Sequence, residues 1–416
     1  MSGIVEPIVS ALQSLARFGA TATGIDRRLF SVADYAARGQ WVAWARADGR
    51  TVTQDRVGNV FACRPGRSDT APILTGSHLD TVPTGGAYDG AYGAVAGLWA
   101  LRKLDAGGVE TEFPLEAVAW AGEEGSRFPL GCLGSSAFSG LNDLGSIEAL
   151  RDDDGVTFAA ARDGASGLLR GVPLRGDTRA PSAYVELHIE QGPVLEHRGI
   201  RLGNVTAIAG QRRFDVVITG ESGHAGTVPM ALRRDALAAA AEIVLALEAE
   251  AAAHEGVVLT VGRLLVEPNQ TNVIPGRVTF RIDARSIDEA LLSRIGERVV
   301  EHAHHVAAKR KVDAKVEQIE RRAAVAMDPH MREALSEAFA GLGEPAHDIP
   351  SGAGHDAMCV AAIAPAAMIF VPSVAGRSHV GDEYTSPADL DLGVGALAGA
   401  LVAIDRRLVQ ALPPRT

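Results

Sequence analysis

Five residues spread over about three hundred positions, His78, Asp89, Glu124, His188 and His379, carry side chains of the kind that hold divalent cations. A further carboxylate, Glu123, stands directly beside the third. Imidazole and carboxylate donors without thiolate suit Zn²⁺, Mn²⁺, Co²⁺ or Ni²⁺ and do not choose among them. Two such ions with one carboxylate left free form a device for activating water. The chemistry indicated is hydrolysis.

The local settings support that reading. GSHLDT (76–81) follows an apolar run, and the C-terminal end of a buried strand is where α/β sheets place ligands. Asp80 is expected to hold the His78 ring in one tautomer. In GGAYDGAYGAVAGL (85–98), Asp89 lies among glycines just ahead of a helix starting near Ala91. Its two oxygens could bridge two ions, with Gly90 freeing the backbone; a plain turn and helix cap is the simpler alternative. In AGEEGSRF (121–128), adjacent acids behind an apolar strand repel each other unless a cation neutralises them. A metal taking Glu124 would leave Glu123 as general base. His188 sits on the alternating segment AYVELHIE (183–190), whose polar face is expected to border a site. His379 lies in GRSHVGDEYT (376–385). His355, in SGAGHDAM (351–358), stays open, and the remaining histidines read as ordinary polar residues.

Stepping from these residues to the elements that carry them, strands and helices alternate, which predicts an α/β layered fold. The segment 208–320 has another rhythm, β-α-β-β-α-β, the split βαβ pattern of a ferredoxin-like domain. Candidate ligands fall on both sides of it. The expected organisation is one catalytic domain in two segments, 1–207 and 321–416, with a mixed central sheet flanked by helices, and 208–320 inserted. With 416 residues, 47% of them apolar, the chain can bury a large core. The net charge of −11 argues against a nucleic-acid or anionic-membrane partner. No apolar run reaches the roughly 18–20 residues of a membrane span. The opening MSGIVEPIVSALQSLARFG reads as an amphipathic helix without the pattern of a signal peptide. Three unclustered cysteines, Cys63, Cys132 and Cys359, fit a reducing cytoplasm.

Together GSHLDT, YDG, EEGSRF, ELHIEQGP, GHAGTVPM and SGAGHDAM resemble the amidohydrolase branch of the aminoacylase/carboxypeptidase-like di-metal hydrolases. That branch holds N-carbamoyl-L-amino acid hydrolases, allantoate amidohydrolases and ureidoglycolate amidohydrolases. The match runs from DRRLFSVAD (26–34) to SHVGDEYTSPADL (378–390). The resemblance implies two metals bridged by Asp89, with His78 and His188 on one and Glu124 and His379 on the other, and Glu123 as base. It also implies that 208–320 is a lid that pairs two subunits. His224 then matches an oxyanion-steadying histidine reaching in from the partner, Asn272 and Arg285 match binders of the substrate carboxylate, and Gln191 and Gln211 look like further substrate contacts. The implied substrate is a small ureido acid.

Three readings compete. Peptidases of the same superfamily usually carry a carboxylate where this chain has His188, which favours the amidohydrolase branch. A catalytically silent binding protein is disfavoured by the complete ligand set and Glu123. Within the branch, PTGGAYDGAYG (83–93) is nearer the carbamoylase pattern PTGGKFDGAYG, although Ala87 replaces its Lys, and HVGDE (379–383) has Gly381 where the usual His-x-Pro-x-Glu has Pro.

Overall fold

A computed structural model describes residues 7–176 and 179–412, and the chain divides into two compact units, Met1–Thr206 with Met327–Thr416, and Ala207–Ala326. The expected N-terminal helix runs Ile8–Ala16; the residues before Pro7 lie outside those described.

The first unit is built on a mixed sheet in the order Thr51–Gln54, Val60–Arg64, Leu115–Trp120, Ile73–His78, Ala183–Ile189, Ala366–Val371 and Gly203–Ile208. The four middle strands are mutually parallel, so their C-terminal ends share one edge. There His78 stands level with Trp120, and His188 with Phe370. All four are buried along their whole length, as expected of strands covered on both faces.

The strand Ala183–Ile189 alternates as its sequence does, but its polar side is buried inside the unit. The Tyr184 hydroxyl accepts from Trp120 Nε1 and donates to the Gly76 carbonyl, both at 2.9 Å. Glu186 accepts from Ser77 Oγ at 2.7 Å and from the Ala357 N–H at 2.8 Å. Low-dielectric hydrogen bonds of this kind fix a single arrangement once all partners are satisfied.

Val185, Leu187 and Ile189 face a helical layer of Ala91–Ala106, Pro387–Ala411, Pro329–Gly341 and Ile8–Ala16. The helix Pro387–Ala411 is long and apolar enough to cross a membrane by length and composition, yet most of its apolar window is buried in this unit. Its buried Asp405 accepts from the backbone N–H groups of Glu112 and Phe113. This long stretch was not anticipated from the sequence, because Gly and Ala dilute its apolar character.

The DRRLFSVAD segment anchors the N-terminal region. Buried Arg27 donates to the carbonyls of Leu79 (2.6 Å) and Leu15 (3.0 Å). Arg38 Nε meets Asp34 Oδ2 at 2.9 Å with both side chains sealed from solvent, and Asp34 also accepts from the Phe30 N–H.

The second unit has a four-stranded antiparallel sheet ordered Asp313–Arg322, Gly210–Thr219, Arg277–Ser286, Val257–Glu267. Helices Ala236–Ala252 and Glu289–Arg310 complete the β-α-β-β-α-β order and contribute to its core. Gly223–His224 and Val273–Ile274 pair in a short ribbon.

Removing one member of a buried ion pair leaves an uncompensated charge. Asp34→Ala should therefore destabilise the protein by about 3–5 kcal/mol. Denaturant unfolding checks this; a loss near zero would mean that Arg38 re-pairs or is hydrated.

Candidate metal centre

The helix Ala91–Ala106 starts immediately after Asp89 and Gly90, and this junction organises the site. Gly90 has φ +61°, and a Cβ there would lie 2.3 Å from the His78 ring. The close approach lets the turn fold over His78 and bring Asp89 to it. His78 Nε2 lies 3.7 Å and His188 Nε2 3.2 Å from the same Asp89 oxygen, Oδ1. His379 Nε2 lies 3.1 Å from the other, Oδ2, and 3.6 Å from Glu124 Oε2. The donors thus form two groups sharing Asp89, namely His78, Asp89 and His188, and Asp89, Glu124 and His379, with ligand atoms inside each within 4.8 Å of one another.

The tautomers follow from the outer hydrogen bonds. His78 Nδ1 lies 3.0 Å from the Asp80 carbonyl, and His188 Nδ1 2.9 Å from the Ile189 carbonyl. A carbonyl only accepts, so each Nδ1 carries the proton and each Nε2 presents a lone pair. Both Nε2 atoms then lie beside one anionic oxygen with no proton between, that of His188 also accepting from the Gly90 N–H at 3.1 Å. A cation between them turns that repulsion into coordination. Burial, ahead of the raising effect of Asp89, brings His78 down to about 4, so the ring stays neutral.

The carboxylates make the same demand. Burial first, then Asp89 and Glu123, pushes Glu124 up to about 10. Burial, then Asp356, raises Glu123 well above the usual carboxylate range. Burial would lift Asp89 too, but the imidazoles of His188 and His379 beside it outweigh burial and hold it low. His379 is raised to about 9, first through its hydrogen bond with Asp89. Oxygen and imidazole donors grouped this way fit divalent cations.

Several residues without an assigned role hold this arrangement. Asp80 meets His78 through its carbonyl rather than its carboxylate, which instead accepts from the N–H groups of Glu123 (3.1 Å) and Glu124 (3.2 Å). The adjacent glutamates are fixed by their backbones. Glu383 accepts from the N–H groups of Tyr88 (2.9 Å) and Asp89 (3.0 Å) and from Ser378 Oγ (2.8 Å). One buried carboxylate therefore ties the Asp89 turn to the segment bearing His379. The sequence offered a signal for it, the Glu of HVGDE, but nothing there told which backbone it would reach. His355 is buried, its ring centroid 4.6 Å from that of His188 and its Nε2 2.9 Å from Ser351 Oγ. Cys132 and Cys359, far apart in sequence, are close enough in the fold for their thiols to interact.

Gln191 has φ +59°, and its Nε2 donates to Asp89 Oδ2 at 2.8 Å. Its Oε1 is buried with no protein partner. Within the second unit, Asn272 directly precedes the ribbon strand that pairs with His224, and its carbonyl accepts from the Ala225 N–H at 3.0 Å. His224 Nδ1 accepts from the Gly226 N–H at 3.0 Å, leaving Nε2 to carry the proton. Gln211 and Arg285 are cross-strand partners that share Asp283. Gln211 Nε2 reaches Asp283 Oδ2 at 2.6 Å and Arg285 Nε reaches Oδ1 at 2.9 Å.

The sheet, the ligand-bearing strand ends and the shared Asp89 define a di-metal hydrolase architecture. Residues 74–403 match Peptidase family M20/M25/M40. The chain belongs to that family, on the side occupied by amidohydrolases. It is 39% identical to an N-carbamoyl-L-amino-acid amidohydrolase of Paenarthrobacter aurescens, over 96% of this chain and 98% of the relative. It is also 39% identical to an allantoate amidohydrolase of Bacillus subtilis, over 95% and 96%. A crystal structure of an amidase of the hydantoinase/carbamoylase family from Burkholderia multivorans superposes with a TM-score of 0.90, at 41% identity, covering 95% of this chain and 96% of that one.

Gly90→Ala tests the junction. A Cβ at that φ and against the His78 ring should strain the turn by about 1 kcal/mol or more and displace Asp89. The expected outcome is a folded protein with sharply reduced metal content by elemental analysis; full occupancy would show that the turn tolerates the side chain.

Proposed function

We propose that the chain is a metal-dependent amidohydrolase that cleaves the carbamoyl C–N bond of N-carbamoyl-L-amino acids, releasing ammonia and carbon dioxide. The observation that carries this is the pair of unprotonated imidazole nitrogens, His78 Nε2 and His188 Nε2, set beside one Asp89 oxygen. A histidine at position 188 sets this donor set apart from that of the peptidases. Resemblance of the 83–93 loop to carbamoylases favours N-carbamoyl amino acids; allantoate or ureidoglycolate is the second reading, supported by the similarity to the Bacillus subtilis allantoate amidohydrolase.

Two divalent cations, Zn²⁺ or else Mn²⁺, Co²⁺ or Ni²⁺, would be held by His78, Asp89, Glu124, His188 and His379 and would supply Lewis acidity for a carbonyl made unreactive by two donating nitrogens. Glu123 takes the proton of the attacking water at Oε2 and returns it to the leaving nitrogen. A buried carboxyl whose affinity for protons is raised suits both transfers. Gln191 Oε1 accepts from a ureido N–H, the role that its unpartnered acceptor supports. His224 donates from Nε2 to the developing oxyanion. Asn272 and Arg285 bind the substrate carboxylate, Arg285 as a fork held in place by Asp283, and Gln211 is a further polar contact.

The segment 208–320 serves as lid and dimerisation domain, giving a homodimer in which His224 acts in the partner's site. Val258, Leu264 and Leu265 are exposed on the edge strand Val257–Glu267, and Leu245 on the helix Ala236–Ala252, which supports pairing there. Three free thiols fit a cytoplasmic enzyme, and the net charge of −11 argues against nucleic-acid or anionic-membrane partners.

Glu123→Gln should retain both metals yet lower turnover by about 10²–10⁴-fold, measured as ammonia release from N-carbamoyl-L-amino acids, allantoate and ureidoglycolate. Near-normal turnover would remove Glu123 as base, and a preference for allantoate in the parent would select the second reading. Separately, mixing inactive His224→Ala with inactive Glu123→Gln should restore activity as subunits exchange. Verified heterodimers without activity would rule out a shared site.

A further inference from the structure

We propose that Cys132 is a positioning residue for the general base, its thiol anchoring one oxygen of Glu123 so that the other is left for the proton. The proposal rests on the assignment of Glu123 as base. Cys132 Sγ donates to Glu123 Oε1 at 3.1 Å, while its backbone N–H donates to the carbonyl of the same residue at 2.8 Å. Residue 123 is thus gripped twice by residue 132. The other carboxylate oxygen, Oε2, lies 3.8 Å from His78 Nε2, on the side of the metal ligands. The two oxygens are therefore in different environments, one facing a sulfur donor and one facing the reacting region.

The backbone of Cys132 has φ +51° and ψ +37°, the left-handed region that glycine occupies most easily. A side chain kept there has a reason to be there, and strained residues persist where their surroundings over-determine them. This conformation is what allows both grips from one residue. The thiol is buried, and the charge of Glu123 beside it disfavours a second anion there. It remains an S–H donor rather than becoming a second anion beside Glu123. Without the donor, the Glu123 carboxylate could rotate and share its time between orientations, only some of which place an oxygen near the attacking water.

The test uses the metal-loaded full-length enzyme with the best substrate of the turnover panel. Cys132→Ala removes the donor while keeping Cβ and backbone strain; Cys132→Ser restores a donor on the same Cβ. The expected result is a kcat lowered about tenfold in Cys132→Ala, with KM and metal content unchanged, and recovery to within about threefold in Cys132→Ser. An unchanged kcat in Cys132→Ala, or equal losses in both variants, overturns the proposal. Should Cys132→Ala fail to fold, Cys132→Gly removes the donor while relaxing the backbone and must show the same kcat loss. Glu123→Gln assayed alongside separates the two assignments. Inactive Glu123→Gln with unaffected Cys132→Ala defeats only the positioning role, whereas active Glu123→Gln defeats the base and, with it, this proposal.

Discussion

Everything in the first unit is arranged around Asp89, a buried carboxylate approached by three imidazoles. Two of those rings have their Nδ1 protons committed to backbone carbonyls, so unprotonated Nε2 atoms lie beside the same oxygen. Left to themselves, lone pair and anion repel, and burial strengthens the repulsion. Glu123 and Glu124, on the other side, resist ionisation for the same reason. A folded protein tolerates such a cluster when cations bind it, and then the binding free energy is also folding free energy. The burial that makes the group unstable alone would strengthen its hold on cations.

Holding the donors at the required separations falls to groups that never touch a cation in this reading. Parallel strands set His78 and His188 at one edge, but Asp89, Glu124 and His379 sit on turns, which are softer. Each turn has its own clamp. Asp80 fixes the backbone of Glu123 and Glu124, and Glu383 fixes that of Asp89 while Ser378 links it to the His379 segment. A Cβ at Gly86 would lie 2.2 Å from Glu383 Oε1, so the glycines of this loop give the clamp its room. Carboxylates accepting backbone N–H bonds serve here as supports for other carboxylates.

The layered α/β fold was legible because the relevant signals are local. Apolar runs such as Leu115–Trp120 read directly as strands covered on both faces, and the helix after Asp89 starts where expected. The donors could be named because His and Glu behind such strands are unusual. What could not be read was the identity of the partners. Asp80 stands two residues from His78 and looked like its support, yet its carboxylate reaches 43 residues forward to Glu123. Glu383 reaches back 295 residues to Tyr88, and Cys132 meets Cys359 across the fold. Long-range pairing of polar side chains leaves no periodicity, so residue spacing carries no trace of it.

The same contrast bears on specificity. The donor set is fixed by charge balance, which allows few alternatives, and so it identifies a reaction type. Substrate choice depends on weaker terms. In the proposed reading Gln191 Oε1 offers a single unpartnered acceptor, and Arg285 is already engaged by Asp283, which lowers the charge it offers. N-carbamoyl amino acids, allantoate and ureidoglycolate all present a ureido N–H and a carboxylate to such groups. Discrimination among them must come from the space around the substrate's remaining atoms, where one methylene or hydroxyl changes binding by about 1–3 kcal/mol. Relatives with the same ligands can therefore differ in substrate through few side chains, while any change at Asp89 would disturb all of them alike.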